Sequence, residues 1–388
     1  MMKVNKDTRD FLSIVPVLGF GAILVVSLMY VTIPIIPALA QEFHASPGQV
    51  VWAVSVYGFA YAIGCLLFGI TSDRYSRIMV LKIGLAALAV CTIAVAWSPS
   101  LHWLIGLRAV QGLIAASFPT VTLGYIGDVI AERFRPLAIS IISSSFLMSG
   151  ILGQLFGQAI EDWLGWRGIF ELLATGYLIL VAVTIYLPKG TSPPSGHSLP
   201  FVLRRTAGLL HSPSMLLSFA VSATVLFSFV TMYSGLSAYV LERFDLQGEG
   251  LMWIRIAGIP GIMVSLITGM LVRRFHSKSI LIIGFAAAGV GLAGEALSGS
   301  LPLMVLFSIL FVTGIAIANP SIIVIIGQLG GESRGSAFAI NACAAFAGAS
   351  LGPLLAQSIA SFELLCAVLI VILLLASVTA RYGIPCSN

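Results

Sequence analysis

The 388 residues are 59% hydrophobic and only 9% charged, with a net charge of +5, whereas a soluble chain carries roughly 25% charge. A mean hydropathy of +1.05 and recurring apolar runs, each long enough to cross roughly 30 Å of hydrocarbon, exclude a soluble globular protein. No short segments of alternating polarity suggest a membrane barrel, and the basic residues form no stripe of the kind that binds nucleic acid.

Segments that cross a bilayer must satisfy their backbone hydrogen bonds internally, so they read as helices. A short basic region precedes an apolar run from Phe11 to about Ala40. That run is too long for the apolar part of a signal peptide. It reads as the first of twelve spans, with limits near 11–37, 48–70, 78–97, 102–129, 136–160, 168–187, 213–240, 250–271, 279–297, 302–327, 336–359 and 363–381. The least apolar stretch, Pro188 to Pro213, contains Thr191-Ser192-Pro193-Pro194-Ser195-Gly196 and reads as a linker. Cys65, Cys91, Cys343, Cys366 and Cys386 are odd in number and fall mostly inside apolar segments, as small core residues do.

Lysine and arginine set the orientation. With the N-terminus inside, the inner loops hold Lys3, Lys6, Arg9, Arg74, Arg77, Lys82, Arg133, Arg135, Lys189, Arg204, Arg205, Arg273, Arg274, Lys278, Arg334 and Arg381, and the outer loops hold mainly Arg167 and Arg243. Both termini are therefore expected in the cytoplasm. The halves also repeat. Gly69 and Gly269 begin related stretches after the second and eighth spans, and Glu132 matches Glu332, each at an offset of 200 residues; Gly153 and Gly352 are 199 apart. The expected organisation is an N-terminal six-helix bundle over 1–187, a cytoplasmic linker over 188–212 and a C-terminal six-helix bundle over 213–388. Such parallel repeats place a binding site between them near the midplane.

Gly69-Ile70-Thr71-Ser72-Asp73-Arg74-Tyr75-Ser76-Arg77 resembles the G-x-L-x-D-R-x-G-R signature of the major facilitator superfamily. Thr71 and Ser76 depart from it. The resemblance implies an all-α integral membrane fold of twelve transmembrane helices in two six-helix bundles. It also implies that Asp73 latches the eleventh helix and that Arg77 pairs with Asp128, with Gly69 and Arg74 completing the gate. Arg74 and Arg77 serve equally as topology determinants. The second copy carries Arg273 where the first has Asp73.

Leu107-Arg108-Ala109-Val110-Gln111-Gly112, early in the fourth span, resembles the R-x-x-Q-G motif of facilitator-family exporters. A charge inside a span is costly and is a functional candidate by default. Arg108 either polarises a nearby acid, binds an anionic substrate group, or hydrogen-bonds backbone carbonyls of neighbouring helices. In the fifth span, Gly150, Gly153 and Gly157 lie in a stretch similar to the antiporter motif G-x-x-x-G-P-x-x-G-G, with Gln154 in place of proline and Gln158 in place of the last glycine. Small residues at that spacing bring helices close, while Gln154 and Gln158 share a face. Gly348 to Pro353 repeats the pattern in the eleventh span. The Pro-containing end of the first span, Tyr30 to Pro37, and Trp166-Arg167-Gly168-Ile169-Phe170 look similar to elements of twelve-span drug:H⁺ antiporters.

The first span holds no acid between Phe11 and Ala40, and Asp128 lies too near the cytoplasmic end to be a central site. Glu171 and Glu295 are the other acids near or within spans; facing the outer headgroup zone is the leading reading of each, and a functional role is the alternative. Arg255 is a second cation within a span. Candidate cavity residues are Tyr30, Tyr57, Tyr61, Gln111, Met148, Phe227, Tyr233, Asn319 and Asn341. Two cations and few acids favour anionic or zwitterionic substrates, because carboxylates pair well with arginine. No H-E-x-x-H, G-x-S-x-G or P-loop pattern appears, so neither an enzyme nor direct ATP use is expected. The chain is thus expected to be a secondary transporter in the cell (inner) membrane. By resemblance it exports a small organic solute in antiport with protons, as a monomer with no cofactor or metal. An uptake symporter or facilitator is the alternative.

Overall fold

Each span closes its own backbone hydrogen bonds as an α-helix, and prolines and glycines decide where that helix stops. The computed structural model describes residues 6–188, 190, 208–244, 249–359 and 361–385. Most of the expected linker over 188–212 lies outside the described residues, as do the side chains of Asp73, Arg74, Arg273 and Glu332. Among the described residues, ten helices are long and apolar enough to cross a membrane. One of these, Glu132–Thr184, contains two expected spans, so the ten helices account for eleven of the twelve expected crossings, and the eighth is divided among shorter helices.

The helices form two compact units. One comprises Met1–Ala138, Ser145–Leu203 and Phe338–Cys343; the other comprises Ile139–Ser144, Arg204–Ala337 and Ala344–Asn388. These differ from a simple division at the linker in two short segments, at the starts of the expected fifth and eleventh spans.

In the first unit, α1 (Lys6–Ser27) ends ten residues before the expected limit of span one at 37. Residues 28–35 are turns; the Tyr30 N–H, for example, reaches the Ser27 carbonyl at 2.8 Å. Pro34 and Pro37 keep the stretch after Ser27 from running on as a regular helix, because neither offers an N–H to the carbonyls of Tyr30 and Ile33. A short helix, α2 (Ile36–Glu42), follows with Pro37 in its first turn. The next helix, α3 (Pro47–Arg74), opens on a capping box in which Ser46 and Gln49 each bond the other's backbone N–H. After α4 (Arg77–Ala96), the expected fourth span is two helices, α5 (Leu101–Ala115) and α6 (Ser117–Val129). They part at Ala116 because Pro119 has no N–H for the Ala115 carbonyl. The long α7 (Arg135–Thr184) carries spans five and six and breaks at Gly165, whose φ is 74°. Only glycine adopts that conformation without steric cost.

The second unit begins with α8 (Pro213–Phe244). The expected eighth span is not continuous. It is divided into α9 (Glu249–Ala257), α10 (Ile259–Met263) and α11 (Ser265–Arg274). Gly258 and Pro260 explain the first break, since glycine weakens a helix and proline removes a donor. The remaining helices are α12 (Ser277–Leu297), α13 (Leu301–Leu329), α14 (Arg334–Ser358) and α15 (Phe362–Gly383). The most extensive packing is between α12 and α13, with Gly284, Gly291 and Gly314 at the closest approach. Small residues drive association where lipid removes the hydrophobic incentive.

Candidate functional site

Arg108 is 0% exposed and is among the largest fully buried side chains of the described residues. Its Nη2 donates to the Leu28 carbonyl at 3.0 Å, its Nε to the Ala53 carbonyl at 3.3 Å, and its Nη1 to Gln111 Oε1 at 2.7 Å. The guanidinium lies 4.0 Å from the centroid of the Tyr57 ring. Gln111, one turn along the same face of α5, donates from Nε2 to Thr92 Oγ1 of α4 at 2.8 Å. One α5 side chain and its neighbour therefore join the end of α1, the second turn of α3, and α4. The Leu28 carbonyl is free to accept because α1 has already ended, and terminal carbonyls lack intrahelical partners. No carboxylate pairs with Arg108 among the described residues.

The glycine of the R-x-x-Q-G motif has a matching purpose. A Cβ on Gly112 would overlap the backbone of Tyr57. Its absence sets the α3–α5 separation at which Arg108 reaches Ala53. Gly112→Val is expected to cost about 1–3 kcal/mol through overpacking, read as a lower melting temperature of the detergent-purified protein. An unchanged melting temperature would contradict this packing account.

A second cluster ties α4 to α6. Arg77 Nη1 donates to Asp128 Oδ1 at 2.5 Å and to the Gly124 carbonyl at 2.9 Å. The two charged side chains are 20% and 11% exposed, so the pair is largely shielded from solvent. Gly124, one turn before Asp128, leaves the space that the Arg77 guanidinium fills. The Arg77–Asp128 pairing implied by the resemblance is thus present. Gly69 lies against Ala339, within the first unit, and a Cβ there would overlap that side chain. Asp73 and Arg74 occupy the last turn of α3.

The other expected site residues distribute unevenly. Tyr30 is buried close to Tyr57 and so joins the Arg108 cluster. Gln154 and Gln158 do not join it. They bond along their own helix, to the Gly150 carbonyl at 2.8 Å and to Asp162 Oδ1 at 3.0 Å. Next to them in sequence, Gly153 and Gly157 sit against Ser27 and Val31, and in the second unit Gly348 and Gly352 sit against Ala223 and Thr231. The glycine motif acts as a helix-packing surface in both units. Asn341 is buried, and its Oδ1 has no hydrogen-bond partner among the described residues. In the second unit, Tyr233 interacts electrostatically with Arg255.

One acid lies where sequence reasoning did not place it. Glu295 was expected to face the outer headgroup zone, yet it is fully buried, because the α12 face that carries it packs against α13 and α15. Glu171, by contrast, is exposed. Thr92 and Ser308 were also missed. A lone hydroxyl in an apolar run carries no sequence signal, whereas Glu295 had one, an acid inside a span.

Two compact units of membrane-spanning helices, with buried polar clusters and an ion pair at a helix end, define a polytopic secondary transporter. The chain belongs to the Major Facilitator Superfamily, whose family model matches residues 18–353. That is a family of transporters, not of enzymes. The chain is 30% identical over 211 residues to the multidrug efflux pump LfrA of Mycolicibacterium smegmatis, covering 54% of this chain and 40% of that one. The fold is similar to that of the proton:xylose symporter XylE bound to 6-bromo-6-deoxy-D-glucose, with a TM-score of 0.82 and 16% identity, over 98% of this chain and 97% of that one. It is likewise similar to the human organic anion transporter MFSD10, with a TM-score of 0.75 and 18% identity, over 95% and 99% of the two chains.

Proposed function

We propose that the protein exports a small organic solute by alternating access in exchange for protons, and that the solute is anionic or zwitterionic. The observation that carries the charge preference is Arg108, a buried guanidinium with no carboxylate partner among the described residues. A buried cation held by neutral acceptors alone leaves an electrostatic deficit that an incoming carboxylate offsets, through the two-pronged pairing that arginine favours. Export is supported by the similarity to LfrA, named a multidrug efflux pump, and an anionic solute accords with the name of MFSD10. The positive-inside bias supports a multi-pass chain in the cell membrane with both termini in the cytoplasm.

Gating is assigned to Asp73, Arg74, Arg77, Asp128 and Gly69. Asp73, at the end of α3, latches the closed cytoplasmic face, and the Arg77–Asp128 pair holds that corner rigid. Asp73→Asn is expected to slow turnover while leaving solute affinity unchanged; wild-type turnover would remove the latch. The charge preference is tested by a thermal-shift panel on purified protein, because a ligand that binds the folded state raises its stability. Carboxylates and zwitterions are expected to raise the melting temperature. Stabilisation by quaternary ammonium cations, with none by carboxylates, would contradict the reading.

A further inference from the structure

We propose that Glu295 is a proton-binding site of this transporter, set in a polar cluster with Ser308, Tyr233 and Arg255 inside the second unit and reached from the outer side of the membrane. The inference rests on the proton-coupled reading above and on its orientation. It names the group that reading lacks, since the first span contains no acid between Phe11 and Ala40.

The geometry is unusual for a structural glutamate. Glu295 sits two residues before the end of α12 and is 0% exposed. Neither of its carboxylate oxygens has a hydrogen-bond partner of good geometry among the described residues. Ser308 of α13 lies beside both the Glu295 carboxyl and the Tyr233 hydroxyl, and its Oγ makes no hydrogen bond of good geometry among the described residues. Tyr233 of α8 interacts electrostatically with both Glu295 and Arg255 of α9. From α15, Cys366 faces the carboxyl. These are the titratable and charged groups that face Glu295 from the surrounding helices among the described residues, and no ion pair closes on it.

An ionised carboxylate that is fully buried, with no ion pair closing on it and only hydroxyl neighbours beside it, is strongly disfavoured relative to its neutral form. A neutral carboxyl costs far less and offers an O–H that Ser308 accepts with a small rotation. The occluded site therefore carries a proton. It releases that proton when a conformational change brings water to the carboxyl, so protonation and access are linked, as coupling requires. In the exporting cycle the Glu295 carboxylate takes a proton from the outer solution, forming one O–H bond. The same bond breaks when the site opens to the cytoplasm, the proton leaves inward, and the solute leaves outward on the opposite stroke. No other reactant is consumed.

Two measurements test this. The first needs no solute: the infrared carbonyl-stretch band of neutral carboxyl groups, recorded near neutral pH on purified wild type and on Glu295→Gln, in water and in heavy water. A deuterium-sensitive band present in wild type and missing from the variant is expected; the absence of any Glu295-dependent band overturns the proposal. The second is flux of carboxylate and zwitterionic solutes into proteoliposomes under an imposed pH gradient. Glu295→Gln is expected to lose the gradient dependence while keeping solute exchange at equal pH. Wild-type flux driven by the gradient together with undiminished gradient-driven flux in Glu295→Gln would overturn the assignment and leave proton antiport standing. Wild-type flux indifferent to the gradient would instead overturn proton antiport itself, and with it the coupling role of Glu295. Should Glu295→Gln fail to fold, Glu295→Asp is expected to keep a neutral-carboxyl band at a shifted frequency together with gradient-driven flux, and losing both would overturn the proposal.

Discussion

Arg108→Ala is expected to abolish transport and to destabilise the protein by about 3 kcal/mol or more. The substitution leaves the carbonyls of Leu28 and Ala53 without the donors that now reach them at 3.0 and 3.3 Å, and it frees Gln111 from its 2.7 Å bond. It also removes a cation held 4.0 Å from the Tyr57 ring, a contact worth up to about 2 kcal/mol when desolvated, and it opens a cavity the size of a long side chain among α1, α3 and α5. Arg108→Lys separates charge from geometry. Lysine keeps the positive charge but places a single ammonium where a planar fork meets acceptors in three directions. If Arg108 acts through its geometry, Arg108→Lys stays inactive and regains little of the lost stability. If charge alone matters, it regains both. Melting temperature in detergent and solute flux in proteoliposomes, measured on the same preparations, tell the two apart. Wild-type flux in Arg108→Ala would remove Arg108 from the substrate pathway.

The Arg77–Asp128 pair carries the next largest effect. Asp128→Ala leaves the Arg77 guanidinium, only 20% exposed, with the Gly124 carbonyl at 2.9 Å as its remaining acceptor among the bonds described above. The expected cost is about 1–3 kcal/mol, the penalty for removing a charged acceptor from a shielded guanidinium. A double-mutant cycle with Arg77→Ala isolates the pair from changes at either residue alone. Strong coupling, with Asp128→Ala slowing turnover at unchanged solute affinity, is the expected outcome. Additive effects would mean that the pair is incidental to the gate.

Much of this fold was legible because hydrocarbon leaves the backbone few options. Apolar runs become helices, and Lys and Arg mark one side. The departures occur where single residues override hydropathy. Pro34 and Pro37 keep the chain after Ser27 from continuing as a regular helix, Pro119 divides the fourth span at Ala116, and Gly258 with Pro260 breaks the eighth. Each was visible in the sequence, yet a hydropathy window averages such residues away.

The site was legible in proportion to how local its chemistry is. Arg108 and Gln111 lie one turn apart, so their motif found them, and the same holds for Gly112 beside them. Their partners could not be read, because the Leu28 and Ala53 carbonyls and the Thr92 hydroxyl come from elements brought together only by packing. Arg77 and Asp128 were paired through family resemblance, not through any spacing between them. Gln154 and Gln158 share a helix face as expected, but they bond along their own helix. Glu295 shows the limit most sharply. Its place near the end of a span suits either a headgroup or a protein neighbour, and only the packing of α12 against α13 and α15 decides between them.

The central claim is proton-driven export of a small organic solute. It is tested most directly by solute accumulation in proteoliposomes whose lumen is made more acidic than the bath, compared with alkaline-lumen vesicles and with protein-free controls. Antiport predicts uphill accumulation in the acidic-lumen vesicles, whichever way the protein is inserted, because protons leaving the lumen draw solute in. Accumulation in the alkaline-lumen vesicles beyond that in the protein-free controls would mean symport, and levels independent of the gradient would mean facilitated diffusion; either result would contradict the account.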